Sequence, residues 1–234
     1  MKRILLLFGA LFVTTLAGAQ QIASADATLD DVRFVLERAG FETYAYDLSQ
    51  FLDGDTCYDV TFRVREYVAG KPVDGDQVFR AGRTRMLLSD YPEQARAEIP
   101  DSVLLDPERG IVRESARIVF GRYPSGADSV AQWAFSLENA AKGSFRLELK
   151  AQKAPDSDTK FYSYYTRPFV MSRFESGRFI PLLFFGSMWY DARFGFFRFC
   201  GEKVIDPDLS KNQLVEHVPH FYVLGVELTA TGAK

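Results

Sequence analysis

From Cys57 onward the chain alternates with a period of two. Tyr58, Val60, Phe62 and Val64 are apolar, and Asp59, Thr61, Arg63 and Arg65 between them are polar. Ala131, Trp133, Phe135 and Leu137 keep the same beat, as do Phe145, Leu147, Leu149 and Ala151, and again Tyr222, Leu224, Val226 and Leu228. Alternation of this kind sets one face of a strand on a core and the other in water, which is the habit of antiparallel sheets. Further strands are expected near residues 77–81, 178–185, 193–200 and 221–230. Turn chemistry at Pro124-Ser125-Gly126, Glu138-Asn139-Ala140 and Ala154-Pro155-Asp156 makes residues 115–166 a four-strand meander. The proline-bearing segment 92–110 reads as a long connection with one helical turn at Glu93–Ala97, and 206–216 as a second loop with helical potential.

One stretch follows the helical period instead. Leu29, Val32, Val35, Leu36 and Ala39 share a face, and Gly40 stops the helix. This short amphipathic helix near residues 29–39 is expected to lie as a lid over one end of a sheet. The fold expected is therefore all-β: an antiparallel β-sandwich of roughly ten strands with one short N-terminal helix. With no internal repeat and no long linker, residues 20–234 form a single expected domain.

The first residues carry a different message. Lys2 and Arg3 precede an apolar run from Ile4 to Leu16, and Ala17-Gly18-Ala19 is a small-x-small cleavage site. That is the pattern of a secretory signal peptide over residues 1–19, with an apolar run too short to span a bilayer. A second small-x-small site, Ala23-Ser24-Ala25, leaves the cut open between two positions. The expected location is the periplasm or the outer cell surface. In such an oxidising space Cys57 and Cys200 are expected to form a disulfide.

Charge and composition narrow the chemistry. A net charge of −3 without a basic block argues against nucleic acid and against an anionic membrane surface as partner. With only 2 His, histidine-based catalysis and zinc frameworks have little to work with. Both histidines fall in Glu216-His217-Val218-Pro219-His220, where Pro219 breaks the helix a metal pair needs, so the segment reads as a surface loop. No nucleophile elbow, P-loop or H-E-x-x-H motif occurs, and no cofactor is expected. Acidic pairs recur in turns. Asp53, Asp55 and Asp59 are the calcium candidates among them, although no loop closes with the required glutamate, so no metal is assigned.

The aromatic share, 15% with 21 Phe, is the unusual figure, and much of it is local. Phe179, Phe184, Phe185, Trp189, Tyr190, Phe194, Phe196, Phe197 and Phe199 crowd into residues 179–199. Most of these rings suit a core between two sheets. Trp189 and Tyr190, each an apolar ring with a polar handle, are the candidates for a binding face, with Asp191, Arg193 and Arg198 beside them to add hydrogen bonds. Arg178-Phe179-Ile180-Pro181, Phe185-Gly186-Ser187-Met188-Trp189-Tyr190-Asp191 and Arg198-Phe199-Cys200-Gly201-Glu202 resemble exported proteins of Bacteroides-type bacteria that have no assigned function. The resemblance supports a Gram-negative envelope location and carries no catalytic residue.

The function expected is an exported, non-enzymatic binding or structural module of the bacterial envelope, recognising a protein or glycan through an aromatic surface. A carbohydrate-binding module and a carboxylate-based glycan hydrolase are the alternatives, the latter needing two carboxylates across a cleft. A small outer-membrane β-barrel is a third reading of the same aromatic content.

Overall fold

The computed structural model describes residues 28–171 and 173–231; the expected signal peptide at 1–19 lies outside them. In chain order the elements are α1 (Leu29–Arg38), β1 (Glu42–Asp47), β2 (Cys57–Val68), β3 (Lys71–Pro72), β4 (Gln77–Arg83), β5 (Arg85–Leu87), the single turn α2 (Glu93–Arg96), β6 (Ile111–Glu114), β7 (Arg117–Tyr123), β8 (Val130–Leu137) and β9 (Ala141–Glu148). They continue with β10 (Tyr164–Pro168), β11 (Phe179–Ser187), β12 (Trp189–Asp191), β13 (Phe196–Arg198), α3 (Gln213–His217) and β14 (His220–Thr231).

Two antiparallel sheets face each other. One has four strands in the order β1-β7-β8-β9. The other has six, in the order β10-β11-β14-β2-β3, with β4 also paired to β2. The alternation in β8 is complete, with Ala131, Trp133, Phe135 and Leu137 all buried. Their rings meet those of the opposite sheet. Phe62 from β2 lies edge-on to Phe120 at 5.2 Å and tilted against Phe135 at 4.6 Å. Trp133 meets Phe185 edge-on at 5.3 Å. Burying each such ring contributes about 1.5–3 kcal/mol, so most of the aromatic excess is core. The inter-sheet space is thus apolar and the two sheets do not close into one barrel, which overturns the barrel reading, since a membrane barrel keeps its polar residues inside. No helix among the described residues is long and apolar enough to cross a membrane.

Three expectations need correction. The meander has three strands, β7 to β9. After the Gln152–Phe161 bridge the chain crosses over, and β10 joins the six-stranded sheet beside β11. The fourth strand of the small sheet is β1, whose inward positions are Glu42, Tyr44 and Tyr46 rather than aliphatic residues, so its period is faint in the sequence.

The helix α1 is no lid: Leu29, Phe34 and Val35 on it are exposed, Leu29 at 89%. It is held by its own backbone and by Arg33 pairing with Asp30 and Glu37 at helical spacing. Gly40, at φ +87°, then turns the chain into β1.

The outer face of the large sheet is also not simply wet. Val223, expected in water, is buried together with Phe184 and Phe221. Residues 199–218 fold back over that face and bring Ile205, Leu214, Val215 and Val218 onto it, so β14 is apolar on both sides over most of its length.

Candidate functional site at the Trp189–Arg198 hairpin

Where β11 ends, the chain turns out of the large sheet into a two-stranded ribbon. Trp189 pairs with Arg198, Tyr190 with Phe197 and Asp191 with Phe196. The turn between them is built on Asp191. Its backbone oxygen accepts from the amides of Phe194 and Gly195, at 3.1 and 2.9 Å, and its carboxylate accepts from the Arg193 amide at 3.1 Å. Gly195 sits at φ +70°, a left-handed conformation that glycine adopts without a steric cost.

The Asp191 carboxylate also pairs with Arg198. That bond, ahead of the turn amides, holds its carboxyl below the ordinary aspartate range. Arg198 is held charged by Asp191 first and by Cys200 second, its Nε donating to Cys200 Sγ at 3.0 Å.

All five residues expected in a binding face, Trp189, Tyr190, Asp191, Arg193 and Arg198, line one open cavity of about 640 Å³, which Cys200, Gln213 and His217 complete. The two rings do not form a common platform, however. Adjacent residues of a strand point to opposite faces. Trp189 stacks on His217 at 5.5 Å, whereas Tyr190 meets Phe197 edge-on at 5.3 Å, and Phe197 in turn meets Phe161 at 4.3 Å. His217 reaches Trp189 because Glu202 ties α3 to the loop after the hairpin. Its carboxylate accepts from the amides of Gln213 and Leu214 at 2.9 and 3.0 Å. Buried Asn212, donating to the carbonyls of Asp206, Asp208 and Leu209, fixes the turn just before.

Within the 179–199 cluster the exposed aromatic residues are two that the sequence did not single out. Phe194 and Phe196 are 54% and 53% exposed with ring centroids 6.0 Å apart, so each offers more than half its surface to a partner. The guanidinium groups of Arg193 and Arg198 lie 5.3 and 5.0 Å from the Phe194 ring. The available signal was the spacing Phe194-Gly195-Phe196: a glycine turn with a ring on each side.

The remaining candidates are scattered. Asp55 pairs with Arg109 at 2.7 Å and Asp59 with Arg83 at 3.2 Å, so the calcium candidates Asp53, Asp55 and Asp59 do not converge. No group of three His, Cys, Asp or Glu residues that could hold a metal exists among the described residues.

The expected disulfide is absent: Cys57 and Cys200 are both free. Cys57 begins β2 opposite Thr231, whereas Cys200 lies by the hairpin, near the start of β14, which pairs with the far end of β2 at Val68. At ~3.3 Å per residue, the length of β2 separates those two ends by roughly 35 Å, far beyond the ~7 Å that a disulfide tolerates between Cα atoms.

The two histidines also part company. His217 stacks on Trp189 in the cavity, but His220 is 2% exposed, so the surface-loop reading is wrong for it. It opens β14 and bonds Tyr164 and Glu66.

Comparison with curated proteins and with solved structures finds no match. The model of one protein family, described as a domain of unknown function (DUF5041), matches residues 11–230, nearly the whole chain, and the protein belongs to that family.

Proposed function

We propose that this protein is an exported, non-enzymatic binding module of a bacterial envelope, and that it recognises an envelope protein through the tip of the β12–β13 hairpin. The observation that carries the reading is the exposed pair Phe194 and Phe196, flanked by Arg193 and Arg198 on a two-stranded ribbon separate from the two main sheets. Aromatic and arginine side chains are enriched at protein interfaces, the rings because they bury much area with few rotatable bonds and arginine because its planar fork makes several hydrogen bonds. The Asp191-centred turn supports the reading, since a preorganised hairpin loses little freedom on binding. Export rests on the signal peptide pattern of residues 1–19.

The cavity beside the tip favours a second reading, a carbohydrate-binding module. It offers Trp189, Asp191, Arg193 and Arg198 to a polar ligand, but its rings lack the common plane that sugar stacking uses. A hydrolase finds less support. The acids lining the groove on the outer face of the large sheet, Glu175 and Glu227, are each paired with an arginine, Arg178 and Arg63.

The test is retention of a partner from envelope extract by residues 20–234, run beside a glycan array and beside a Phe194→Ser/Phe196→Ser double variant. A protein retained by the native chain and lost by the variant is the expected result. Binding of neither protein nor glycan overturns both readings. Recovery of the native chain in the cytoplasm with its leader intact overturns the envelope location.

A further inference from the structure

The space between the two sheets ends differently at its two ends. Where β14 begins, Glu66, Tyr164 and His220 close it with hydrogen bonds. At the opposite end it opens into a separate cavity of about 370 Å³. The floor is wholly apolar and buried, with Ile118, Leu182 and Leu228 contributed by three different strands. Phe51 and Phe174 form a wall, meeting edge-on at 4.8 Å. The hydroxyl of Tyr46 is turned away to the Leu182 carbonyl at 3.2 Å, which leaves its ring to the cavity.

The mouth is polar. Asp47 shares the mouth as a carboxylate whose oxygen is held toward its own turn, accepting from the Ser49 amide at 2.7 Å. Arg173 makes no ion pair among the described residues, and it also lines the outer groove that holds Arg63, Arg65 and Arg178. An apolar slot whose opening carries a guanidinium without an ion-pair partner among the described residues matches a ligand with an apolar tail and a single anionic head. The volume lies at the low end of the range of about 300–1,000 Å³ for small-molecule sites, which admits one chain and not two.

We propose that this cavity binds a single-chain carboxylate amphiphile, its tail between the sheets against Leu182 and Leu228 and its carboxylate at Arg173. The proposal is independent of hairpin recognition, because the cavity and the hairpin lie at opposite ends of the large sheet. The test titrates residues 20–234 calorimetrically with decanoic acid and with its neutral methyl ester. Saturable binding is expected, with the acid bound more tightly than the ester. Arg173→Glu, at an exposed position, is expected to weaken the acid by about tenfold or more and leave the ester unchanged. Leu182→Phe fills the slot and is expected to abolish both. Phe194→Ser/Phe196→Ser is expected to change neither, which separates this site from the hairpin. Absence of saturable binding, indifference to Arg173→Glu, or full binding by a folded Leu182→Phe variant would overturn the proposal. Should Leu182→Phe not fold, the acid–ester comparison and Arg173→Glu decide it.

Discussion

His220 Nε2 lies 2.9 Å from Glu66 Oε1, a diagonal contact across the central strands β14 and β2. The carboxylate is an acceptor, so the imidazole proton sits on Nε2. Nδ1 is then the acceptor for the Tyr164 hydroxyl, which itself accepts from the Lys150 amide at 2.9 Å. The neighbouring Tyr222 hydroxyl donates to the Glu148 carbonyl at 2.7 Å.

Burial, more than any other cause, pushes the His220 pKa below its ordinary 6.5, and the bond to Glu66 offsets this only in part. The unfolded chain therefore binds a proton at a pH where the folded chain does not. The His220 contribution is complete above pH 6.5 and is lost as pH falls below it, at up to about 1.4 kcal/mol per pH unit until the folded pKa is reached. Urea unfolding at a series of pH values measures this slope. His220→Gln is expected to flatten it and to cost about 2 kcal/mol at pH 8 through lost bonds. Asp191 and Asp208, both held below the ordinary 3.8, add their own loss only at lower pH.

Arg85 is 2% exposed, yet it donates to Glu114 at 2.8 Å and to the carbonyls of Gly54 and Leu52 at 2.6 Å each. One guanidinium thus ties β5 to β6 and to the loop before β2. Arg85→Met leaves the carboxylate and the Leu52 carbonyl without this donor, and the Gly54 carbonyl with only the longer bond from Arg109 at 3.4 Å. The expected cost is about 3–5 kcal/mol, the range for breaking a buried pair. Arg85→Lys is expected to recover part of this and not all, since an ammonium cannot span three acceptors in a fixed plane. Thermal unfolding of the two variants provides the comparison.

Gly225 in β14 lies opposite Pro181, beside the irregularity between Pro181 and Leu183 in β11. A Cβ at this position would come within 2.1 Å of the Ile180 carbonyl oxygen and 2.8 Å of the Phe179 ring. Backbone cannot yield there without unpairing two central strands. Gly225→Ala is expected to destabilise the protein by about 2–3 kcal/mol or to prevent folding, whereas Gly126→Ala, with open space around it, is expected to be tolerated. Denaturation midpoints of the two proteins decide the matter.

Cys200 is exposed beside Arg198, and Cys57 is half-buried with its thiol donating to the Arg85 carbonyl at 3.0 Å. A thiol reagent added to the native protein is expected to label Cys200 first and Cys57 only slowly, and both in denaturant. A native protein that gives no free thiol in denaturant contradicts the arrangement.

The strands were legible wherever an aliphatic or aromatic residue faced a single core. The period of two in β2, β8 and β9 needs no partner to be recognised, and β4, β11 and the helical turn at Glu93 fall where pattern and turn residues put them. β1 was missed because its inward face is Glu42, Tyr44 and Tyr46, polar-tipped residues that the period does not register. The second buried face was missed because Val223 and Phe221 acquire their partners from residues 199–218, a segment with little regular structure of its own. The site was half legible: the cluster was located and its five named residues do meet at one cavity, but the rings left exposed are Phe194 and Phe196.

Alternation, turn residues and a charged leader are local properties, and the sequence by itself determined the class of the fold, the position of most strands and the export pattern. Which face of each strand is dry, which histidine is buried and how far apart the cysteines stand depend on contacts between residues distant along the chain. His220 and Glu66 are 154 positions apart. Their partnership exists because the pairing of β14 with β2 brings them together and burial excludes the water that would otherwise serve each of them. Only the tertiary structure decides that.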